Sequence, residues 1–490
     1  MSKNLNTPKV HSVKFNVLMN MIITSSSLIF PLITIPYASR VLGAGGMGAV
    51  AFAQSISSYF SLVAILGVTY YGVKVCAEVR TDKLALSKVV KEILVILLCS
   101  TLVVYAVYTV CIFTVPRFMD EKALFLEFGL TIWLTSFGME WFYQALEQYS
   151  YITIRSVVFK LIALVLMFIL VRNQNDYVLY GFTVIFAGCA SNILNILRIR
   201  KLVDFSTKQK LEIKRHFKPM VWYTAASIAS GMYIQVDIVL LGFLGTNTQV
   251  GLYQLVSKIK SVLVTAVNSV GNVMLPRLSY YKSHNQKDKN DDLIAKNLNF
   301  VMVMGFAIIA LLAICAKPIV LIMGGSGFLG SIPPLRIVGG AVLFSAMNIV
   351  LANHLMSENK EKAWAIVNVI GLVLAVICNF FLIRAWGIAG AATSIVICEG
   401  SMFAMRAYVC RSLLSRIRKR LNVFKILGAA IVASAATYPL TFISTNVFVE
   451  LVLEVGMFGI VYLAVLMVTK ESFTYGMSRQ MIGKIAHRKG

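Results

Sequence analysis

Stretches of about twenty apolar residues, each bounded by charged or turn-forming residues, recur along nearly the whole chain. A helix of about 20 residues crosses the hydrocarbon core of a bilayer, so repeated runs of this length dictate a polytopic helical membrane protein. The runs fall at 15–36, 48–72, 92–113, 123–145, 151–171, 177–197, 219–243, 251–275, 298–316, 334–356, 364–383, 387–409, 425–445 and 451–469. The reading is all-α, with about 14 transmembrane helices. The ten-residue alternation of a membrane β-barrel is absent. Composition agrees: of 490 residues, 58% are hydrophobic and 14% charged, and the mean hydropathy is +0.78. A soluble chain carries about 25% charge to clothe its surface. A soluble enzyme, a disordered scaffold and a secreted disulfide module are therefore excluded.

The formal charge of +25 would ordinarily suggest nucleic acid. The placement of that charge argues otherwise. With the N-terminus in the cytoplasm, 37 of the 46 Lys and Arg residues fall in inner segments and 7 in outer loops, leaving Lys258 and Lys260 inside the membrane. That bias is the positive-inside signature, and it requires both termini to be cytoplasmic. No nucleic acid is needed to explain it. The first apolar run is too long for a cleavable signal and is followed by Ile35-Pro36-Tyr37-Ala38-Ser39-Arg40, so it is expected to remain as a helix. The hydrophilic loops reach only about 20 residues, too short for a core of their own. No GxxxxGK[ST] occurs, which excludes ATP-driven transport by this chain alone. The eight cysteines form no CxxC, and the five histidines lack metal-ligand spacing. No metal and no cofactor are expected, and the chain is not read as an enzyme.

An internal echo divides the chain. Leu42-Gly43, then Met47-Gly48, opens the second span; Leu244-Gly245, then Val250-Gly251, opens the eighth. Tyr180-Gly181 in span six is echoed by Trp386-Gly387 in span twelve. An even shift of six spans implies parallel repeats about an axis along the membrane normal. The expected organisation is an N-terminal lobe (1–200), a basic cytoplasmic connector (201–218), a C-terminal lobe (219–410), and two further spans with a basic tail (411–490). The two six-helix lobes would be related by a pseudo-two-fold axis.

The run Phe30-Pro31-Leu32-Ile33-Thr34-Ile35-Pro36-Tyr37-Ala38-Ser39-Arg40-Val41-Leu42-Gly43 resembles the opening signature of the Wzx-type polysaccharide (O-antigen) repeat-unit flippases. These belong to the multidrug/oligosaccharidyl-lipid/polysaccharide exporter superfamily. Gly138-Met139-Glu140-Trp141-Phe142-Tyr143-Gln144, Val236-Asp237 with Gly242, Gly251-Leu252-Tyr253 and Gly387-Ile388-Ala389-Gly390-Ala391 match further along, so the resemblance spans essentially the whole chain. It implies a V-shaped pair of lobes around a central cavity. It also implies movement of an undecaprenyl-diphosphate-linked oligosaccharide from the inner to the outer leaflet of a bacterial plasma membrane, serving O-antigen, capsule or exopolysaccharide synthesis. A polysaccharide polymerase and its chain-length machinery would be neighbouring partners, with membrane lipids as the surroundings.

Ionisable groups at membrane depth cost about 2.5–3.5 kcal/mol each, so each needs a reason. Asp237 and Lys258 lie at nearly equal distances from the turn near residue 247, which makes them a natural pair or sets a lysine toward a diphosphate. Lys260 points about 200° away from Lys258. Glu140 and Arg155 match in depth about the turn near 148, and Lys160 lies about 7 Å deeper. Arg155 is expected to snorkel to inner headgroups, whereas Lys160 is too deep to escape. Glu399, midway in span twelve, either pairs with a basic group or titrates and couples transport to protons; sodium is the other candidate ion. Thr24-Ser25-Ser26-Ser27, with Gln54, Ser55, Ser57 and Ser58, offer uncharged hydrogen bonds to sugars or between helices. Pro31 and Pro36 make bending in span one plausible.

Four other readings stay open. A structural or receptor-like polytopic protein would need neither lobe symmetry nor buried charge. A drug or organic-cation antiporter of the same superfamily would want negative cavity walls, and the intramembrane cations lean against it. A lipid II flippase differs mainly in its cargo, and sequence chemistry alone does not exclude it. A membrane polymerase or ligase would display a large outer loop, and every outer loop here is short.

Overall fold

The computed structural model describes residues 13–206, 210–271, 274–442 and 446–476. The expectations for the two termini fall on residues 1–12 and 477–490, and part of the connector on 207–209, all outside the described residues. Among the described residues the chain is helical, without β-strands. Eleven helices among the described residues are long and apolar enough to cross a membrane. The count of fourteen crossings differs from eleven partly because two of these helices are bent. The stretch Phe15–Glu78 has 64 residues and Glu361–Val409 has 49. At 1.5 Å per residue, the second is about 70 Å long, more than twice the hydrocarbon thickness.

The bends are glycines. In α1 (Val13–Ile65) the non-helical residue is Gly43 (φ +66°, ψ 179°), and Pro31 and Pro36 sit within the helical run before it. An L side chain rarely adopts such a backbone, so glycine joins two crossings here without a loop. Gly387 does the same in α15 (Glu361–Val409), with φ +55° and ψ −127°.

Two compact units divide the chain, Met1–Gly251 and Leu252–Gly490. In the first, α1 is followed by α2 (Val68–Glu78), α3 (Lys83–Thr114), α4 (Pro116–Met119), α5 (Lys122–Ser136), α6 (Glu140–Ala145) and α7 (Tyr149–Leu170). Then come α8 (Tyr177–Ile185), a π-helical turn Phe186–Ala190, α9 (Asn192–Ile199), α10 (Lys214–Leu244) and the start of α11 (Asn247–Gly271). Asp82 caps α3, accepting from Leu84 N at 2.9 Å and Ala85 N at 3.1 Å. Leu102, Val103, Val107 and Val110 on α3 are exposed, the pattern of a helix whose solvent is lipid.

The helix from residue 122 onward breaks at Met139 (φ +49°), just where the Gly138–Gln144 signature begins. Trp141 packs on Gly72, where any Cβ would collide with its indole. Tyr143 donates to Asn195 O at 2.9 Å, and Asn195 Nδ2 donates back to Gly138 O. The signature is thus a packed joint between α2, α6 and α9.

A second close approach involves the glycines of the internal echo. A Cβ on Gly48 would collide with Asn247 O, and one on Gly251 with Ala44 O. The two contacts are reciprocal, each reaching the residue four positions before the other glycine. The other half of the echo fares differently: Gly181 lies inside α8, whereas Gly387 is a bend, so those dipeptides do not occupy like positions.

The second unit continues with α12 (Met274–Ser283), α13 (Lys287–Met323), α14 (Ile332–Ser357), α16 (Arg411–Ile417) after α15, α17 (Val423–Thr437) and α18 (Val447–Val468). Here α14 packs between α13 and α15, and α17 and α18 pair and lie on α13. Arg416 grips Asp291 through Nε at 2.7 Å and Nη2 at 3.1 Å, and this carboxylate holds the guanidinium above its ordinary pKa.

Candidate functional site

Helical spacing gathers the uncharged polar side chains of the first unit. Gln54, Ser58 and Ser61 fall at i, i+4 and i+7 on the second half of α1, Thr131 and Thr135 at i and i+4 on α5, and Gly231 and Gln235 likewise on α10. Such spacing puts each set on one face. All line a cavity of about 350 Å³, together with apolar residues such as Leu62, Ile65 and Phe128. Gly188 and Cys189 of the π-helical turn complete the wall. A Cβ on Gly188 would meet nothing within 4 Å, so the turn leaves open space there. No charged side chain lines this cavity among the described residues.

Of the sequence candidates, Gln54 is therefore in the wall. Ser55 is buried and donates to Gln235 Oε1 at 2.9 Å, while Tyr59 OH donates to Met232 O at 2.7 Å. These bonds tie α1 to α10. Asp237, two residues beyond Gln235, is buried. Ser25 is exposed on α1; its neighbours Ser26 and Ser27 accept from Lys160 Nζ at 3.1 and 2.7 Å. Lys160 is half-buried on α7 and makes no ion pair within its unit among the described residues.

Arg155 departs from expectation. It does not snorkel: only 5% exposed, it donates from Nη1 to Ser191 O and Asn192 Oδ1, both at 3.0 Å. The carbonyl follows directly on the π-helical turn, where regular helical pairing is interrupted and an acceptor is available. Glu140 is half-buried and close enough to act electrostatically on both Arg155 and Lys160, without an ion pair to either within 4 Å among the described residues.

In the second unit Lys258 and Lys260 are half-buried on α11. Glu399 is buried, and Asn348 Nδ2 of α14 donates to its Oε2 at 2.8 Å and to its carbonyl at 3.0 Å. Arg406, counted with the basic loop 406–425, is also buried, donating to Asn368 Oδ1 at 2.7 Å.

One cluster escaped the sequence reading altogether. Glu92 of α3 is fully buried and accepts from Arg215 Nη2 at 2.6 Å, His216 Nε2 at 2.8 Å and Glu212 N at 2.6 Å. When His216 Nε2 donates to the Glu92 carboxylate, its Nδ1 accepts from Tyr71 OH at 2.6 Å. Nearby, Lys88 holds the Glu212 carboxyl below its ordinary pKa through a 2.7 Å hydrogen bond. The signal was present: an acid at the edge of one apolar run, and an adjacent Arg and His at the edge of another.

The sequence profile of the family described as "Polysaccharide biosynthesis protein" matches residues 13–282, more than half of the chain. A protein of Escherichia coli (strain K12) named "Putative O-antigen transporter" is 22% identical over 401 residues, covering 81% of this chain and 95% of that protein. The "Probable low-salt glycan biosynthesis flippase Agl15" of Haloferax volcanii is 22% identical over 218 residues, 44% of this chain and 46% of that one. Among solved structures, "Lipid II flippase MurJ, inward closed conformation" aligns with TM-score 0.68 at 17% identity, over 92% of this chain and 98% of that one. An inward-facing multidrug resistance MATE family transporter aligns with TM-score 0.61 at 13% identity, over 82% and 99%. At these identities the structures share the fold.

Proposed function

Because this chain belongs to the polysaccharide biosynthesis protein family, we propose that it is a flippase for lipid-linked oligosaccharide, carrying repeat units on undecaprenyl diphosphate from the inner to the outer leaflet of a bacterial plasma membrane. The observation that carries the reading is the cavity of the first unit. Its walls offer amides, hydroxyls and backbone but no charge, which suits sugar hydroxyls and gives an organic cation no counter-ion. The O-antigen transporter name of the bacterial relative and the flippase fold support the same cargo class.

The remaining assignments follow from this reading. Fourteen crossings rest on the apolar runs, cytoplasmic termini on the charge bias, and lobes at 1–200 and 219–410 on the internal echo, and the reciprocal contact at Gly48 and Gly251 supports parallel repeats. Transport proceeds by alternating access, with the two lobes closing in turn on either face. The diphosphate is met by deep cations, for which Lys160 and Lys260 stand first. Lys160 suits the task because two serine hydroxyls hold its ammonium at depth without neutralising it. Asp237 and Lys258 remain a proposed pair, Glu399 a proposed coupling group, and the polymerase a proposed neighbour.

Deleting the gene should leave lipid-linked oligosaccharide accumulated on the inner leaflet. Lys160→Gln should lower surface polysaccharide export about tenfold with the protein amount unchanged, and Lys160→Arg should restore part of it, since charge is what the phosphate requires. Normal export by Lys160→Gln would remove Lys160 from the route; no accumulation on deletion would overturn the flippase reading itself.

A further inference from the structure

A second cavity of the first unit, about 1200 Å³, is distinct from the polar site. It lies between α3, α5 and α9, with Leu94, Leu98, Trp133 and Phe137 on its walls. Trp133 and Phe137 stack, centroids 5.8 Å apart and planes at 15°, which makes one wall flat and stiff. At one end stand three cations: Lys83 in the first turn of α3, and Arg200 and Lys201 just beyond α9. All three are exposed, and none makes an ion pair among the described residues. The carboxylate that joins them, Asp204, is engaged in its own turn, accepting from Ser206 N at 2.9 Å and Ser206 Oγ at 2.5 Å. The Lys/Arg bias assigns this end to the cytoplasmic side.

The chemistry of the lining selects the occupant. Apolar walls serve no purpose for a soluble anion, which needs only the rim. An amphiphile with an anionic head fits both parts, and basic pockets between helices on the inner side recognise such heads. Among the described residues the lining holds no Ser, Thr, Asn or Gln, the side chains a glycan head would use. We propose that this groove binds an anionic diacyl phospholipid of the inner leaflet, with its phosphate on Lys83, Arg200 and Lys201 and its acyl chains along α3 and α5. The lipid is a resident one, distinct from the transported cargo. It would pin the start of the connector, where Asp204 N already donates to Ser87 Oγ of α3 at 3.0 Å.

Native mass spectrometry of the purified full chain with phosphatidylglycerol and with phosphatidylcholine tests this without any transport readout. At about 1 kcal/mol per cation, the combined Lys83→Gln, Arg200→Gln and Lys201→Gln variant should weaken phosphatidylglycerol binding on the order of a hundredfold. Phosphatidylcholine should bind weakly to both proteins. Leu98→Trp, which obstructs the wall and keeps the cations, should weaken phosphatidylglycerol as well. Unchanged unfolding temperatures without lipid confirm that both variants are folded, as expected for exposed positions. Equal phosphatidylglycerol binding by the triple variant, equal retention of phosphatidylcholine, or no effect of Leu98→Trp would each overturn the proposal. So would displacement of phosphatidylglycerol by an equimolar polyprenyl diphosphate, which would make the groove a cargo site.

Discussion

The cluster around Glu92 and the cavity around Gln54 lie in the same unit, yet one is built of charge and the other without it. Around Glu92, a fully buried carboxylate is met by a guanidinium, an imidazole and a backbone N–H, and the imidazole is held in turn by Tyr71. Around Gln54, amides, hydroxyls and glycines share the wall with Leu62, Ile65, Phe128 and Ile234, and no charged side chain joins them among the described residues. A buried charge left alone is costly, so a region built of charge must be saturated and therefore rigid. A neutral polar wall leaves hydrogen-bonding capacity that a ligand can use at little desolvation cost. Damage to the first region should thus be read in stability and damage to the second in transport.

Glu92→Leu should show the largest effect. It strands Arg215 and His216, and breaking such a buried pair costs about 3–5 kcal/mol. Thermal unfolding of the purified protein should record the loss, and export should fall only in proportion to the folded protein left. Replacing Arg215 and His216 by apolar residues as well should recover much of the stability; if it does not, the cluster is more than a neutralised joint. Gly188→Leu should do the opposite. Because an added Cβ meets open space, stability should hold while the filled cavity loses transport, about tenfold in initial rate. Transport at the parental rate would show that cargo does not use this space. Ser58→Ala is the mildest test: one hydroxyl is worth about 0.5–1.5 kcal/mol, hence roughly a two- to tenfold rise in the cargo concentration needed for half-maximal transport. A fall in unfolding temperature instead would make Ser58 part of the helix packing.

The same contrast explains what could be read in advance. Membrane spans announce themselves through run length, because the bilayer imposes one thickness on every crossing. Gln54 stood out as an amide inside an apolar run and does line the cavity. Lys160 stood out by depth, but its serine partners lie 134 and 133 residues earlier, and no local spacing connects them. Arg155 looked like a snorkelling side chain because depth along a helix does not specify its azimuth. Its true acceptors, Ser191 O and Asn192 Oδ1, follow directly on a π-helical turn that no periodicity forecasts. Glu92 and His216 were missed for a related reason: each sits at the margin of a run, where charge is unremarkable until the opposite margin is brought beside it.

The reciprocal seam at Gly48 and Gly251 also has a consequence for the order in which the protein is made. Its two sides are separated by the residues from 48 to 251, so α1 is complete long before the start of α11 exists. At a synthesis rate of about 5–20 residues per second, the glycine face of α1 waits roughly 10–40 s for its partner. During that interval the early helices have only one another to hold them upright. The ribosome's pace, and not only the final packing, therefore sets how long this face stands open to the wrong neighbour.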